Sequence, residues 1–109
     1  MGKKRHDWSH VATEEPYFGV LASDKYRAAS ITDDDIEAFY QSGRDDIQRL
    51  RELCKTVIGV APAGRTLDFG CGVGRHTFAI SKFATRVTGY DVADEMLDIA
   101  RARALKEDG

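Results

Sequence analysis

The chain has 109 residues and a formal net charge of −2, with ordinary proportions of apolar and charged residues. This length fits one small domain or a piece of a larger one. The slightly negative charge argues against an extensive nucleic-acid-binding surface, and no apolar run approaches the length needed to span a membrane. No apolar segment follows the basic N-terminal residues, so we expect no secretory signal. Cys54 and Cys71 form no C-x-x-C pair, which favours a reducing cytoplasmic setting.

The first thirty residues show no clear hydrophobic period. We interpret residues 1–30 as an N-terminal arm that precedes the helices of the domain. Residues 1–10 are polar and basic, which is typical of a mobile tail. The segment around Pro16 and Gly19 is expected to be irregular, with its aromatic side chains packed on the domain.

Two amphipathic helices are predicted over residues 31–59. The first spans residues 31–42, begins with a variant capping box at Thr32 and ends at Gly43. The second spans residues 44–58 and carries an apolar stripe at helical spacing, which is expected to pack on a sheet. These helices therefore lead into the segment with the strongest functional signal.

That segment is TLDFGCGVGRHTFAISKFATRVTGYD, residues 66–91. It predicts a strand that ends at Phe69, a loop with glycine at alternate positions, a helix over residues 76–84 and a second strand over residues 86–90. Glycine lets a backbone pass close to a ligand, because it has no Cβ and accepts positive φ. In a right-handed βαβ unit the two strands are neighbours, so the loop and Asp91 should meet at one edge of the sheet.

A last helix is predicted after the second strand. Asp94 is expected to cap this helix, which runs to about residue 106. Met96 and Leu97 belong to its inward apolar face. The predicted order of elements is therefore helices first, then βαβα.

These residues resemble the class I S-adenosylmethionine-dependent methyltransferases. The likeness consists of the D-x-G-x-G-x-G motif from Asp68 to Gly74, the acid Asp91 after the next strand, and the D-V-A-D-E-M-L-D-I-A-R segment that begins there. It covers about residues 62–104. The resemblance implies an α/β fold in which residues 60–109 are the truncated start of a Rossmann-like, S-adenosylmethionine-binding domain with an incomplete sheet.

The resemblance also implies a cofactor site and the role of each residue in it. Asp91 accepts hydrogen bonds from the two ribose hydroxyls, the loop glycines pass beneath the methionine and ribose, and Asp68 faces the amino group. Val92 and Met96 pack on the adenine. The expected cofactor-binding residues are Asp68, Gly70, Cys71, Gly72, Gly74, Asp91, Val92 and Met96. No catalytic residue, metal ligand or methyl acceptor is assigned.

Three other functions stay open at this point. A nicotinamide dinucleotide is the alternative ligand, but its G-x-G-x-x-G fingerprint needs glycine at Arg75, and Asp68 would repel a pyrophosphate. The second alternative is a module that binds the cofactor without turnover, and the third is an interaction or structural remnant that binds no ligand. A nucleophilic pair of Cys71 and His76 is disfavoured, because methyl transfer needs no enzyme nucleophile. The preferred function is a methyltransferase present as a fragment or truncated member, inactive as an isolated chain.

Partners follow from the incomplete sheet and from the arm. A two-stranded sheet exposes an edge and an apolar face, so we expect a longer native chain or a homo-oligomer that covers them. A membrane partner is not expected. Arms of class I methyltransferases often cover the cofactor, which makes a site-lining role the alternative to ordinary packing for the aromatic residues Trp8, Tyr17, Phe18 and Tyr26.

Overall fold

The structure, a computed structural model, describes residues 2–107, with side chains described from Asp7 onward. Met1, Asp108 and Gly109, which belong to the predicted arm and cofactor domain, lie outside the described residues. The elements in chain order are α1 (Gly2–Glu14), a short 3₁₀ helix (Asp24–Tyr26), α2 (Asp33–Ile58), β1 (Arg65–Phe69), α3 (Thr77–Ile80), β2 (Arg86–Tyr90) and α4 (Asp94–Ala104). In the described part of the chain, no helix combines the length and hydropathy needed to cross a membrane.

The two strands form a parallel sheet and confirm the predicted α/β order. Arg65 pairs with Arg86 at one end of the sheet and Phe69 with Tyr90 at the other. The crossover helix α3 is shorter than predicted, because the chain tightens after Ile80 into turns in which backbone N–H groups bond to carbonyls three or four residues earlier. Both strands nevertheless end at the same edge, as a βαβ unit requires.

The prediction that Gly43 ends a helix is wrong, because Asp33–Ile58 is one continuous helix. Gly43 is buried in its middle, and a Cβ at this position would lie 2.1 Å from the carbonyl oxygen of Arg75. Glycine is needed there for close approach of another backbone segment rather than for a stop. The capping box at Thr32 is confirmed, and Gly59 (φ 83°) ends the helix in the left-handed region.

The prediction of a mobile tail is wrong for residues 2–10, which belong to α1. Ala12 on this helix is buried in the core cluster, and Val11 packs against it. Tertiary packing thus selects a helix that local hydrophobic periodicity does not indicate. The expected packing of the arm is confirmed for Tyr17 and Tyr26, whose rings meet Phe39 edge-on at centroid distances of 5.1 and 5.3 Å.

The core lies on one side of the sheet and the other side is open. Buried residues from α1, the 3₁₀ helix, α2, the glycine loop and α4 with its N-cap form one cluster: Ala12, Tyr26, Phe39, Tyr40, Val73, Ala93 and Met96. On the opposite face of the sheet, Leu67 is 62% exposed and Phe69 is 77% exposed. The second half of the apolar stripe of α2 is exposed as well, at Leu53 and Val57, so this stripe packs on the domain less completely than expected.

Candidate functional site

The glycine loop, residues 70–74, follows β1 directly. Gly70, Gly72 and Gly74 have φ angles of 76°, 56° and 88°, all in the left-handed region. A residue with a Cβ is strained in this conformation, so the alternate glycines are what allow the chain to turn so sharply here. A Cβ on Gly74 would also meet the ring of Phe78 at 2.4 Å. The loop therefore depends on glycine for both conformation and packing.

Asp91 connects this loop to the start of α4. Its Oδ2 accepts a hydrogen bond from the backbone N–H of Gly72 at 2.9 Å, and its Oδ1 accepts one from Ala93 at 2.9 Å. The backbone N–H groups of Gly70 and Cys71 both donate to the carbonyl oxygen of Tyr90, at 2.7 and 2.9 Å. These bonds confirm the prediction that the loop and Asp91 meet at one edge of the sheet.

Asp94 does not cap α4. The N-cap residue is Ala93, whose side chain cannot accept a hydrogen bond, and Asp94 lies in the first turn. Instead, Asp91 accepts from the N–H of Ala93 just before the helix. The capping prediction is wrong because an Asx-type turn, in which Asp91 accepts from the N–H two residues later, places the helix start one residue earlier.

A cleft of about 390 Å³ opens beside Asp91 and the loop. Most of its wall is apolar, and Asp91 is the one charged side chain among the described residues that line it. A mainly apolar cleft with one fixed polar group is typical of a small-molecule site. The lining residues are Trp8, Gly19, Val20, Phe69, Gly70, Gly72, Tyr90, Asp91, Val92 and Met96.

Five of the eight predicted cofactor residues line this cleft: Gly70, Gly72, Asp91, Val92 and Met96. Asp68 does not line the cleft. Alternate residues of a strand point to opposite faces of the sheet, so its side chain lies on the face opposite to that of Phe69. Its Oδ2 accepts a hydrogen bond from the hydroxyl of Thr77 at 2.6 Å. Gly74 packs against Phe78, and the Cys71 side chain is buried next to Gly89 of β2. Contact of these three residues with a cofactor stays a prediction.

Cys71 is a poor nucleophile in this environment. Burial raises the pKa of its thiol, and the negative charges of Asp68 and Asp91 raise it further. His76, the basic partner in such a pair, instead contacts Asp46 of α2, with its Nε2 atom 3.2 Å from Oδ2 of Asp46. These contacts count against a Cys–His pair. In the described part of the chain, no group of three His, Cys, Asp or Glu residues could hold a metal ion.

Sequence reasoning missed several lining residues. Phe69 and Tyr90 are the last residues of the paired strands, and their rings stack with centroids 5.4 Å apart. Their positions immediately before Gly70 and Asp91 would have been a usable signal. Gly19 and Val20 carry no comparable signal, because only the tertiary fold of the arm brings them to the cleft.

Comparison with known proteins gives a consistent result. Residues 66–108 match a family described as a methyltransferase domain. The chain is 30% identical over 95 residues to a 23S rRNA (uracil(1939)-C(5))-methyltransferase of Photobacterium angustum, which is 87% of this chain and 40% of that protein. It is 40% identical over 53 residues to a demethylmenaquinone methyltransferase of Tropheryma whipplei, covering 49% of this chain and 22% of that protein.

A third relative is named for a different reaction. The chain is 33% identical over 60 residues to an S-adenosyl-L-methionine-dependent Diels-Alderase of Talaromyces variabilis, covering 55% of this chain and 20% of that protein. The chain thus spans 40% or less of the length of each of these three relatives.

Proposed function

We propose that this chain carries the first part of a class I methyltransferase domain, binds S-adenosylmethionine in the cleft beside Asp91 and serves methyl transfer, as the match of residues 66–108 to a methyltransferase domain supports. The observation that carries this proposal is the hydrogen bond from the Gly72 N–H to Asp91 at the carboxyl ends of two parallel strands. Ligands of open α/β sheets bind at this end of the strands.

The acceptor capacity of Asp91 supports a ribose at this point. Each of its oxygens takes one backbone N–H, which fixes the carboxylate, and each retains a further lone pair. The two adjacent hydroxyls of a ribose can donate to such a carboxylate. A hydrogen bond to a charged group contributes about 1.5–3 kcal/mol, enough to decide between ligands with and without these hydroxyls.

The rest of the cleft suits a nucleoside with a positive charge. Val92 and Met96 offer apolar surface next to Asp91, where the adenine would pack. Asp68 and Asp91 add negative charge around the loop, which favours a sulfonium or ammonium group and disfavours a pyrophosphate. When bound, S-adenosylmethionine supplies the activated methyl group, and the residues of this chain bind and orient it.

The names of the relatives support the cofactor more directly than they support an acceptor. They mention a uracil of rRNA, demethylmenaquinone and a Diels-Alder reaction. Relatives named for such different reactions resemble this chain, and residues 66–108, which contain the glycine loop and Asp91, match a methyltransferase domain. We propose that this segment holds the cofactor and that residues outside 66–108 select the acceptor. The isolated chain would then bind the cofactor without turnover.

Two further proposals concern the setting of the protein. Cys54 and Cys71 are both free thiols, which supports a reducing cytoplasmic location. The open sheet face, with Leu67 and Phe69 exposed, supports cover by a further part of the protein or by a second copy.

Titration calorimetry with S-adenosylhomocysteine, the demethylated cofactor, tests the cofactor assignment. We expect wild-type binding and at least about a tenfold loss of affinity in Asp91→Asn, because the amide removes charge and acceptor capacity. Asp98→Asn is the matched control, since Asp98 is an exposed carboxylate of α4 that contacts Arg101.

A second ligand pair separates a ribose contact from general damage to the loop. The wild type should bind 5′-methylthioadenosine more tightly than its 2′-deoxy analogue, and Asp91→Asn should lose this preference. Binding of a nicotinamide dinucleotide in place of S-adenosylhomocysteine, or unchanged affinity in Asp91→Asn, would overturn the assignment.

A further inference from the structure

Three residues of α2 occupy one face of the helix and meet the end of the glycine loop. Tyr40, Gly43 and Asp46 are spaced three residues apart, so they lie on neighbouring turns of the same side. Opposite them are residues 73–76, which connect the loop to α3. We call these three residues the loop-holding face of α2. The cleft itself is lined by other residues.

Tyr40 provides the first contact. Its hydroxyl donates a hydrogen bond to the carbonyl oxygen of Val73 at 2.8 Å, and both residues are buried. Burial raises the pKa of Tyr40, so the hydroxyl keeps its proton and remains a donor. A buried carbonyl without a donor is unfavourable, which ties the loop to this tyrosine.

Gly43 provides the second contact through the absence of a side chain. A Cβ there would lie 2.1 Å from the carbonyl oxygen of Arg75 and 2.8 Å from its carbonyl carbon. Real Cβ atoms do not approach backbone atoms so closely. The backbone that leaves the loop therefore lies directly against α2, and any larger residue at position 43 would push it away.

Asp46 provides the third contact. Its Oδ2 accepts a hydrogen bond from Arg75 Nη2 at 2.6 Å and lies 3.2 Å from His76 Nε2. These two partners hold the pKa of the Asp46 carboxyl below its usual range, so the group is charged at neutral pH. Arg75 is only 12% exposed at its side chain and also donates to the hydroxyl of Ser42 at 2.9 Å.

From these contacts we propose that the loop-holding face of α2 positions the glycine loop in its ligand-binding conformation, with Tyr40 and Asp46 as positioning residues. This inference rests on the proposed function. Three glycines at alternate positions, all with positive φ, give the loop many other accessible conformations. Held at residues 73–76, the loop keeps the Gly72 N–H on Asp91, so less binding free energy is lost in ordering it.

The test uses the 109-residue chain with Asp46→Asn and Tyr40→Phe. Neither residue lines the cleft, so neither change removes a ligand contact. We expect each to weaken S-adenosylhomocysteine binding by between about threefold and thirtyfold, the range typical of residues that act through a network. Asp46→Glu retains the charge and should recover most of the affinity.

Asp45→Asn is the matched control on the same helix. Asp45 is exposed and accepts a hydrogen bond from Gln41 at 2.9 Å, away from the loop. Its affinity should equal that of the wild type. Equal affinity in Asp46→Asn, Tyr40→Phe and the control would overturn the proposal.

Amide hydrogen exchange in the ligand-free chain gives a reading that does not depend on the cofactor. Exchange of the Gly72 amide should accelerate in Asp46→Asn and Tyr40→Phe while amides in the middle of α4 keep their rates. Unchanged exchange at Gly72, or equal acceleration throughout the chain, would refute loop positioning. If the wild type binds no S-adenosylhomocysteine, the proposed function fails, but the exchange result still decides the role of α2.

Discussion

Asp91 has a structural role that would also prepare it for the proposed ligand. The carboxylate fixes the loop through Gly72 and the start of α4 through Ala93, both at 2.9 Å. A side chain held in this way cannot rotate away when a ligand arrives, which is the basis of preorganised recognition. Cys71 contrasts with Asp91, because burial and the charges of Asp68 and Asp91 raise the pKa of its thiol and so disfavour the nucleophilic thiolate.

Trp8 offers a direct optical test of the cleft. It is the only tryptophan in the sequence, it lines the cleft, and it is 50% exposed. A nucleoside in the cleft would pack on the indole and exclude water from it. We therefore expect the intrinsic fluorescence of the chain to change on titration with S-adenosylhomocysteine, with the same affinity as in calorimetry.

Trp8→Phe controls for inner-filter effects, since this variant should give no such signal while retaining binding. If fluorescence stays constant at a concentration that saturates the calorimetric signal, Trp8 does not face the bound ligand.

At the scale of elements, α2 and α4 are held together by a buried cation. Arg103 is 8% exposed at its side chain and donates to both carboxylate oxygens of Glu37, at 2.5 and 2.9 Å. Its guanidinium also lies over the ring of Tyr40, 4.1 Å from the centroid. Because α4 begins just after Asp91, this contact between helices also supports the position of the cleft wall.

Acid should weaken this contact. The hydrogen bonds from Arg103 lower the pKa of Glu37 from its ordinary value of 4.5. A depressed carboxyl pKa contributes stability above the unfolded-state pKa, and this contribution is lost as pH falls through the folded pKa. The melting temperature of the wild type should therefore drop between about pH 5 and pH 3.

Glu37→Gln should flatten this part of the pH profile, since no proton can be taken up at position 37. Glu52→Gln, an exposed change on the same helix, should leave the profile unaltered. Thermal melts followed by circular dichroism give the comparison, and parallel profiles for Glu37→Gln and the wild type would contradict the assigned role of this ion pair.

At the scale of the whole molecule, the described residues cover the sheet on one side only. Helices pack on the face that carries Thr66 and Val87, while Leu67 and Phe69 point outward. An exposed apolar face beside free strand edges favours association. The chain spans 40% or less of the relatives it matches, which is consistent with a domain whose remaining elements lie outside these residues.

The 109-residue chain on its own should therefore self-associate. We expect a concentration-dependent sedimentation coefficient, and we expect Leu67→Lys to shift the chain toward monomer by placing a charge on the open face. Thr88→Lys places a charge on the same face at an exposed position that is already polar, so it should have a smaller effect. A wild-type chain that sediments as a monomer at all concentrations would contradict this prediction.

The sequence by itself determined the βαβ unit, the helix after it and the meeting of the glycine loop with Asp91 at one edge of the sheet. Strand alternation, alternate glycines and an acid after the second strand are local features, and local features decide where a parallel pair of strands ends. The capping box at Thr32 and the left-handed stop at Gly59 are equally local.

Only the tertiary structure decided the conformation of the arm, the continuity of α2 and which residues line the cleft. The local sequence around Gly43 predicts the end of a helix. In the structure, glycine is instead required because the backbone of Arg75, 32 positions later in the chain, lies against it. The composition of residues 2–10 predicts a tail. In the structure they belong to α1, whose Ala12 is buried with residues of α2 and α4. Contacts between residues distant in sequence outweigh local propensity in such cases, because burial gains more free energy than a local preference costs.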